Sequence, residues 1–168
     1  MGDKRRIAEG WIEKAGNQLQ AAKEHLKSHT RYSEAVQASQ ECVELSVKSI
    51  LALLGVEYPS THGWDREQFS KIAKQVRDGQ LMEKLSTQNL SYAIRLPRLL
   101  LLANFWSQFY LPAKYGFEAG YLAPAQDLFD KQEAELAAQH AEECWRAALE
   151  LRYLPQNKLN AIGGASST

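Results

Sequence analysis

The sequence predicts an all-α protein, an up-and-down bundle of about five helices. Three observations predict it. No window of alternating polarity runs long enough to nominate a strand. The segments 5–27, 33–54 and 124–154 keep apolar residues at helical spacing. Turn-forming residues gather between those segments, and the middle one has neither Gly nor Pro from Ser33 to Leu54.

In the first segment Ala8, Trp11, Ala15, Leu19, Ala22 and Leu26 share one side while Lys, Glu and Gln fill the other. Ser28, His29 and Thr30 interrupt it, with Thr30 placed to cap the next helix, and so short a connection makes the first two helices antiparallel. In the second, Val36, Val43, Val47, Ile50 and Leu54 form an aliphatic face. Ala35, Ala38, Cys42, Ser46 and Ser49 form a small-residue face beside it, and Gln37, Glu41, Glu44 and Lys48 form the one charged stripe. Gly55 stops this helix. The loop 58–63 (YPSTHG) follows, and Asp65 caps a third helix to about Arg77.

After Asp78 and Gly79 a short helical turn is expected around Leu81 to Leu85, then a longer helix from near Thr87, bent or divided at Pro97 and ended by Pro112. Its residues Leu99, Leu102, Ala103, Phe105, Trp106, Phe109 and Tyr110 cover a wider arc than one neighbour needs. Residues 112–124 are the longest irregular stretch. A last helix is expected from Pro124 to Leu154, its seam made of Phe129, Leu136, His140, Ala147, Leu151 and Leu154. Residues 1–155 then form one helical domain, and 156–168 are expected to be a disordered tail.

Twenty Lys and Arg balance twenty Asp and Glu, so the molecule has no long-range field drawing it to nucleic acid or anionic membranes, and any anion site must be local. The basic residues Lys4, Arg5 and Arg6 precede no apolar signal region, and the most apolar stretch, 99–111, falls short of the about 20 residues a membrane span needs. Cys42 and Cys144 lie far apart inside predicted helices, without the close spacing of a zinc site. They read as reduced core thiols of a cytoplasmic protein.

From Tyr32 onward the pattern resembles the second helix and following loop of the HEPN family, a helical domain often described as nucleotide-binding. The matching residues are Tyr32, Ala35, Glu44, Lys48, Leu51, Gly55, Pro59 and His62, with a weaker register at Ala15, Leu19 and Ala22. Ala113, Lys114 and Tyr115 resemble the family's Ala-Arg-Tyr. The resemblance spans roughly residues 8–153. It implies an α-helical bundle, a homodimer and, in some relatives, action with a nucleotidyltransferase in a toxin-antitoxin pair. HEPN ribonucleases carry an arginine followed after four to six residues by a histidine. No arginine here is followed by a histidine in that window: Lys114 stands for the motif arginine, and Ala119, Gly120 and Tyr121 stand where a histidine would complete the pair.

Four histidines remain as acid–base candidates. His25 and His29 sit at the polar end of the first helix and read as solvated. His62 occupies the family position and reads either as a loop-fixing structural residue or as part of a site. His140, on the apolar seam, reads as a hydrogen-bonded core or interface residue. Glu44 and Lys48 have the spacing of a surface ion pair. Alternatively Lys48, with Lys114, Tyr115 and Arg95 or Arg98 from neighbouring helices, lines a cationic cleft for phosphate near His62. Trp106, Phe109, Tyr110, Tyr115, Phe117 and Tyr121 lack interleaved cations and read first as core. No phosphate-binding glycine loop, zinc motif or nucleophile elbow is present, and no cofactor is expected.

The surplus apolar surface of residues 99–110 and the small face of the second helix point to a homodimer, with Ala35, Ala38, Cys42, Ser46, Ser49 and His140 as the expected contact residues. Three functions fit: a non-catalytic binding module for nucleotide or RNA, a divergent ribonuclease using Lys114 with His62 or His140, and a domain that binds only protein.

Overall fold

The computed structural model describes residues 2–90, 94–118 and 121–164. Among these the elements are helices: α1 (Gly2–His25), α2 (Tyr32–Leu53), α3 (Arg66–Asp78), α4 (Leu81–Ser86), α5 (Leu96–Ser107), α6 (Tyr110–Tyr115), α7 (Lys131–Arg152) and α8 (Gln156–Gly163). A 3-10 turn at Ala125–Asp127 precedes α7. Phe117 and Ala123 make an isolated antiparallel bridge, which does not extend into a sheet among the described residues.

The fold is organised around α2. It packs most extensively on α1 and α7 and also meets α5 and α6, so its apolar face and its small-residue face are both enclosed. Ala35, Cys42, Ser46, Val47, Ser49, Ile50 and Leu51 are fully buried. Gly55 closes α2 at a φ of 71°. Its N–H donates to the Ala52 carbonyl at 3.2 Å, and the Val56 N–H donates to Leu51 at 2.9 Å. This is the paired ending that favours glycine, and Val56 seals it by burying its side chain.

Helix α1 meets α7 through an unusual pair. A Cβ on Gly16 would stand 3.1 Å from Nε1 of Trp145, so the glycine leaves room for an indole whose N–H donates to the Ile12 carbonyl at 3.1 Å. The helix-breaking tendency of a mid-helix glycine is offset here by close packing.

Several boundaries differ from the expectations. Thr30 does not cap α2; Arg31 occupies that position without a side-chain bond. Asp65 does cap α3, exchanging bonds of 2.8 and 2.9 Å with Gln68 in a reciprocal box. Pro97 begins α5 instead of bending a longer helix, because a missing N–H costs nothing in the first turn. The expected start near Thr87 falls in non-helical chain, and residues 91–93 of that stretch lie outside the described residues. Pro112 sits inside α6, again in the first turn, and Gly116 at a φ of 91° ends that helix.

Helix α7 begins at Lys131, not Pro124, with the Asp130 N–H bonded to Glu133 at 2.8 Å. Its buried seam is Ala134, Ala137, Ala138, Ala141, Cys144, Ala147, Ala148 and Leu151, while Leu136 is 42% exposed. Nor are residues 156–164 a loose tail. They form α8, whose Leu159 and Ile162 are buried, and a Cβ on Gly163 would meet the Leu54 carbonyl oxygen at 2.6 Å. Residues 165–168 of the expected tail lie outside the described residues.

Cys42 and Cys144 are buried free thiols. Burial pushes the Cys42 thiol up to about 12 and raises that of Cys144 as well, so neither is a nucleophile at neutral pH. No group of three His, Cys, Asp or Glu suited to a metal occurs among the described residues, and no helix is long and apolar enough to cross a membrane.

Candidate functional site: a buried carboxylate behind an exposed imidazole

Half of the charged stripe of α2 is buried: Glu44 and Lys48 turn inward, while Gln37 and Glu41 stay partly exposed. Gln40, Glu44 and Lys48 stand one turn apart on a helix enclosed by its neighbours, with residue exposures of 2%, 9% and 6%. The pair read as a surface salt bridge is therefore a buried one. Lys48 Nζ donates to Glu44 Oε1 at 2.7 Å, and Gln40 Nε2 donates to Glu44 Oε2 at 3.0 Å. The same ammonium donates to the carbonyls of Ser60 and Thr61 at 3.4 and 3.2 Å. A lysine has three protons to place, and here a carboxylate and two loop carbonyls receive them.

The loop is thus pinned to α2. Trp64 fixes its other limb through an Nε1 donation to the Pro59 carbonyl at 3.3 Å. Between these anchors His62 turns back to the same carboxylate, its Nδ1 lying 3.0 Å from Glu44 Oε1 and 3.2 Å from Oε2. A carboxylate only accepts, so Nδ1 carries the proton and Nε2 is the lone-pair nitrogen of the neutral ring. Burial pushes the Glu44 carboxyl up, but the Lys48 bond and charge, helped by Gln40 and His62, hold it below the usual range.

The His62 side chain is 68% exposed and stacks on Tyr110, with centroids 5.4 Å apart and planes 5° from parallel. Lys114, one helical turn beyond Tyr110, donates to its hydroxyl at 3.3 Å and lies 5.5 Å from the Tyr110 ring and 5.1 Å from the Tyr115 ring. Its bonds with Tyr115 and Tyr110 hold the ammonium above its ordinary range. The outcome is a surface of two stacked rings, a further half-exposed tyrosine and a cation, backed by a buried carboxylate.

The expected cationic cleft is not assembled. Lys48 faces inward to Glu44. Arg98 forks onto Glu143 with Nε–Oε1 and Nη2–Oε2 distances of 2.6 and 2.9 Å, and Arg95 joins at 3.3 Å. The bond from Arg98 outweighs burial, and the charges of both arginines add to it, so the Glu143 carboxyl is held below its ordinary range. These arginines neutralise a glutamate of α7 and are not directed to the His62 surface.

A HEPN domain model matches residues 8–151. The chain belongs to the HEPN family. Comparisons with curated proteins and with solved structures give no match.

Within this HEPN domain His140 of α7 lies against Trp106 of α5. Its Nδ1 accepts from Trp106 Nε1 at 3.1 Å, with burial and then the Arg98 charge lowering its pKa and Glu143 opposing. His29 bonds the Tyr32 hydroxyl at 3.1 Å. Of the residues where an Arg–His pair would be completed, Ala119 and Gly120 lie outside the described residues and Tyr121 is 93% exposed.

The small-residue face expected at a dimer contact is already occupied within the chain. Ala35, Ala38, Cys42, Ser46 and Ser49 are covered by the chain's own helices, and Cys42 Sγ donates to the Ala141 carbonyl of α7 at 3.6 Å. Sequence reading missed Gln40 and Glu143 as pairing residues, and it set Tyr110 among the core aromatics although its ring stacks on His62. For Gln40 the signal was present, since Gln40, Glu44 and Lys48 form one ladder at four-residue spacing.

Proposed function

We propose that this HEPN domain is a non-catalytic binding module for a nucleotide or single-stranded RNA, and that it works as a dimer beside a nucleotidyltransferase partner. One observation carries the reading: an imidazole fixed from behind by Glu44 stacks on Tyr110, with Lys114 against the same tyrosine. Rings accept base faces without regard to sequence, and one mobile ammonium suits a phosphate as a point charge.

Fluorescence anisotropy of a labelled single-stranded RNA octanucleotide tests it. Tyr110→Ala is expected to weaken binding by the about 1–3 kcal/mol of one stacked base, roughly 5- to 150-fold. Lys114→Ala should weaken it for every sequence and flatten its salt dependence. Unchanged affinity in both variants would overturn the assignment. The Glu44–His62 pair also favours a second reading, a divergent ribonuclease in which His62 Nε2 takes a proton and Lys114 meets the developing charge. Slow cleavage of the same octanucleotide that disappears in His62→Ala, and not in His140→Ala, would establish it.

The dimer contact that remains is the outer face of α5 with α6, where Leu101, Phe105 and Leu111 are 61%, 46% and 61% exposed. Light scattering on the purified chain, alone and with a co-expressed nucleotidyltransferase, should find twice the chain mass and a monomer for Leu101→Glu with Phe105→Glu. A monomeric parent protein that also fails to retain the transferase counts against both associations.

A further inference from the structure

Two cavities adjoin at the end of α2, one of about 580 Å³ between α1, α2 and α8 and one of about 460 Å³ between α1 and the chain after Gly55. They share Lys4, Ala52 and Gly55. Each lies within the size range of small-molecule sites.

The backbone builds the first. Gly163 sits so close to the Leu54 carbonyl that no side chain fits between, which seats α8 against the end of α2 and leaves main chain as the cavity wall. Ile7, Trp11, Val56 and Tyr58 make the wall of the second, where the Trp11 and Tyr58 rings meet edge to face at 6.0 Å. Ile7 is half exposed, an apolar side chain with one side uncovered.

Charge at this groove is uneven. Arg5 is committed: its guanidinium bonds Glu9, Gln156 and the carbonyls of Arg152 and Leu154, capping the end of α7. Lys4 makes no ion pair or hydrogen bond among the described residues, yet it lines both cavities. Asp3 and Glu57 also line the groove, so a polyphosphate is repelled and a single anionic group is held only in direct contact with Lys4, where the short distance outweighs the more distant carboxylates.

We propose that this groove is a binding site for a small, planar, aromatic monoanion, its ring against Trp11 and Tyr58 and its carboxylate, sulfonate or monoester at Lys4. The site is separate from the His62 surface and does not depend on the function proposed for it.

The full-length chain titrated with anilinonaphthalene sulfonate, followed by dye fluorescence, tests the proposal. Saturable one-to-one binding is expected, weakened about tenfold or more in Lys4→Glu, the value of one charge-assisted bond. It should also be lost in Ile7→Glu and unchanged in Lys114→Ala and Phe105→Glu, with Lys4→Glu and Ile7→Glu keeping the parent's melting temperature. Uncharged phenylnaphthylamine should bind at least several-fold more weakly. Absence of saturation, equal binding of the uncharged dye, or loss through Phe105→Glu while Lys4→Glu binds normally would each overturn it.

Discussion

Replacing Lys48 with alanine is expected to cost about 3–5 kcal/mol of stability at neutral pH, the penalty of stranding one partner of a buried ion pair. For a domain of this length that lowers the melting temperature by roughly 6–20 °C. Glu44 would keep Gln40 and His62, but no fixed cation would face a carboxylate that is 9% exposed. The loop also loses its anchor, because Lys48 is what ties the Ser60 and Thr61 carbonyls to α2. Urea denaturation followed by circular dichroism measures the loss, and a change below about 1 kcal/mol would mean that the pair carries no more than a surface bridge does.

The same variant reverses a pH dependence. In the parent protein the folded-state pKa of Glu44 lies below its unfolded value of about 4.3, so the stabilisation is complete above that value and is lost as pH falls through the folded pKa. In Lys48→Ala the desolvation of Glu44 is no longer outweighed. Its folded pKa then rises above the unfolded one, and the destabilisation shrinks as acid neutralises the carboxyl. Removing both charges, as Glu44→Leu with Lys48→Met, should recover part of the stability, because Gln40 Nε2 and the two loop carbonyls stay without their partners, while leaving His62 without its carboxylate. The RNA-binding measurement on that double variant separates the structural role of the network from its role in orienting the imidazole.

What could be read from the sequence followed from period and from capping chemistry. The α2 aliphatics, the Gly55 stop, the Asp65 cap and the fold class all depend on neighbours within a turn or two. Depth was not readable in this way. A Glu–Lys pair at four-residue spacing has the same sequence whether it faces water or a loop, and only the enclosure of α2 on several sides decides between them. The small face of α2 was legible as a close-approach surface, but a sequence does not state whether the approaching helix belongs to the same chain. Proline misled at Pro97 and Pro112 because both occupy first turns, where the residue is harmless. Residues 156–164 looked too polar to order, yet two apolar side chains, Leu159 four residues and Ile162 one residue before Gly163, suffice to seat α8.

Ala141→Leu is the substitution that best tests which helix fills that small face. Ala141 is fully buried, its carbonyl receives the Cys42 thiol at 3.6 Å, and the seam around it is built from alanines and Cys144. Three added carbons have no space to enter, and the backbone of α7 cannot retreat without opening contacts along the length of α2. The expected loss is at or above the usual about 1–3 kcal/mol of overpacking. The midpoint should fall by the same amount at every protein concentration, since both helices belong to one chain, and the mass found by light scattering should stay that of the parent protein. If instead the variant kept the parent's stability and changed its oligomeric state, the small face of α2 would be an intermolecular surface and the packing of α7 on it would be wrong.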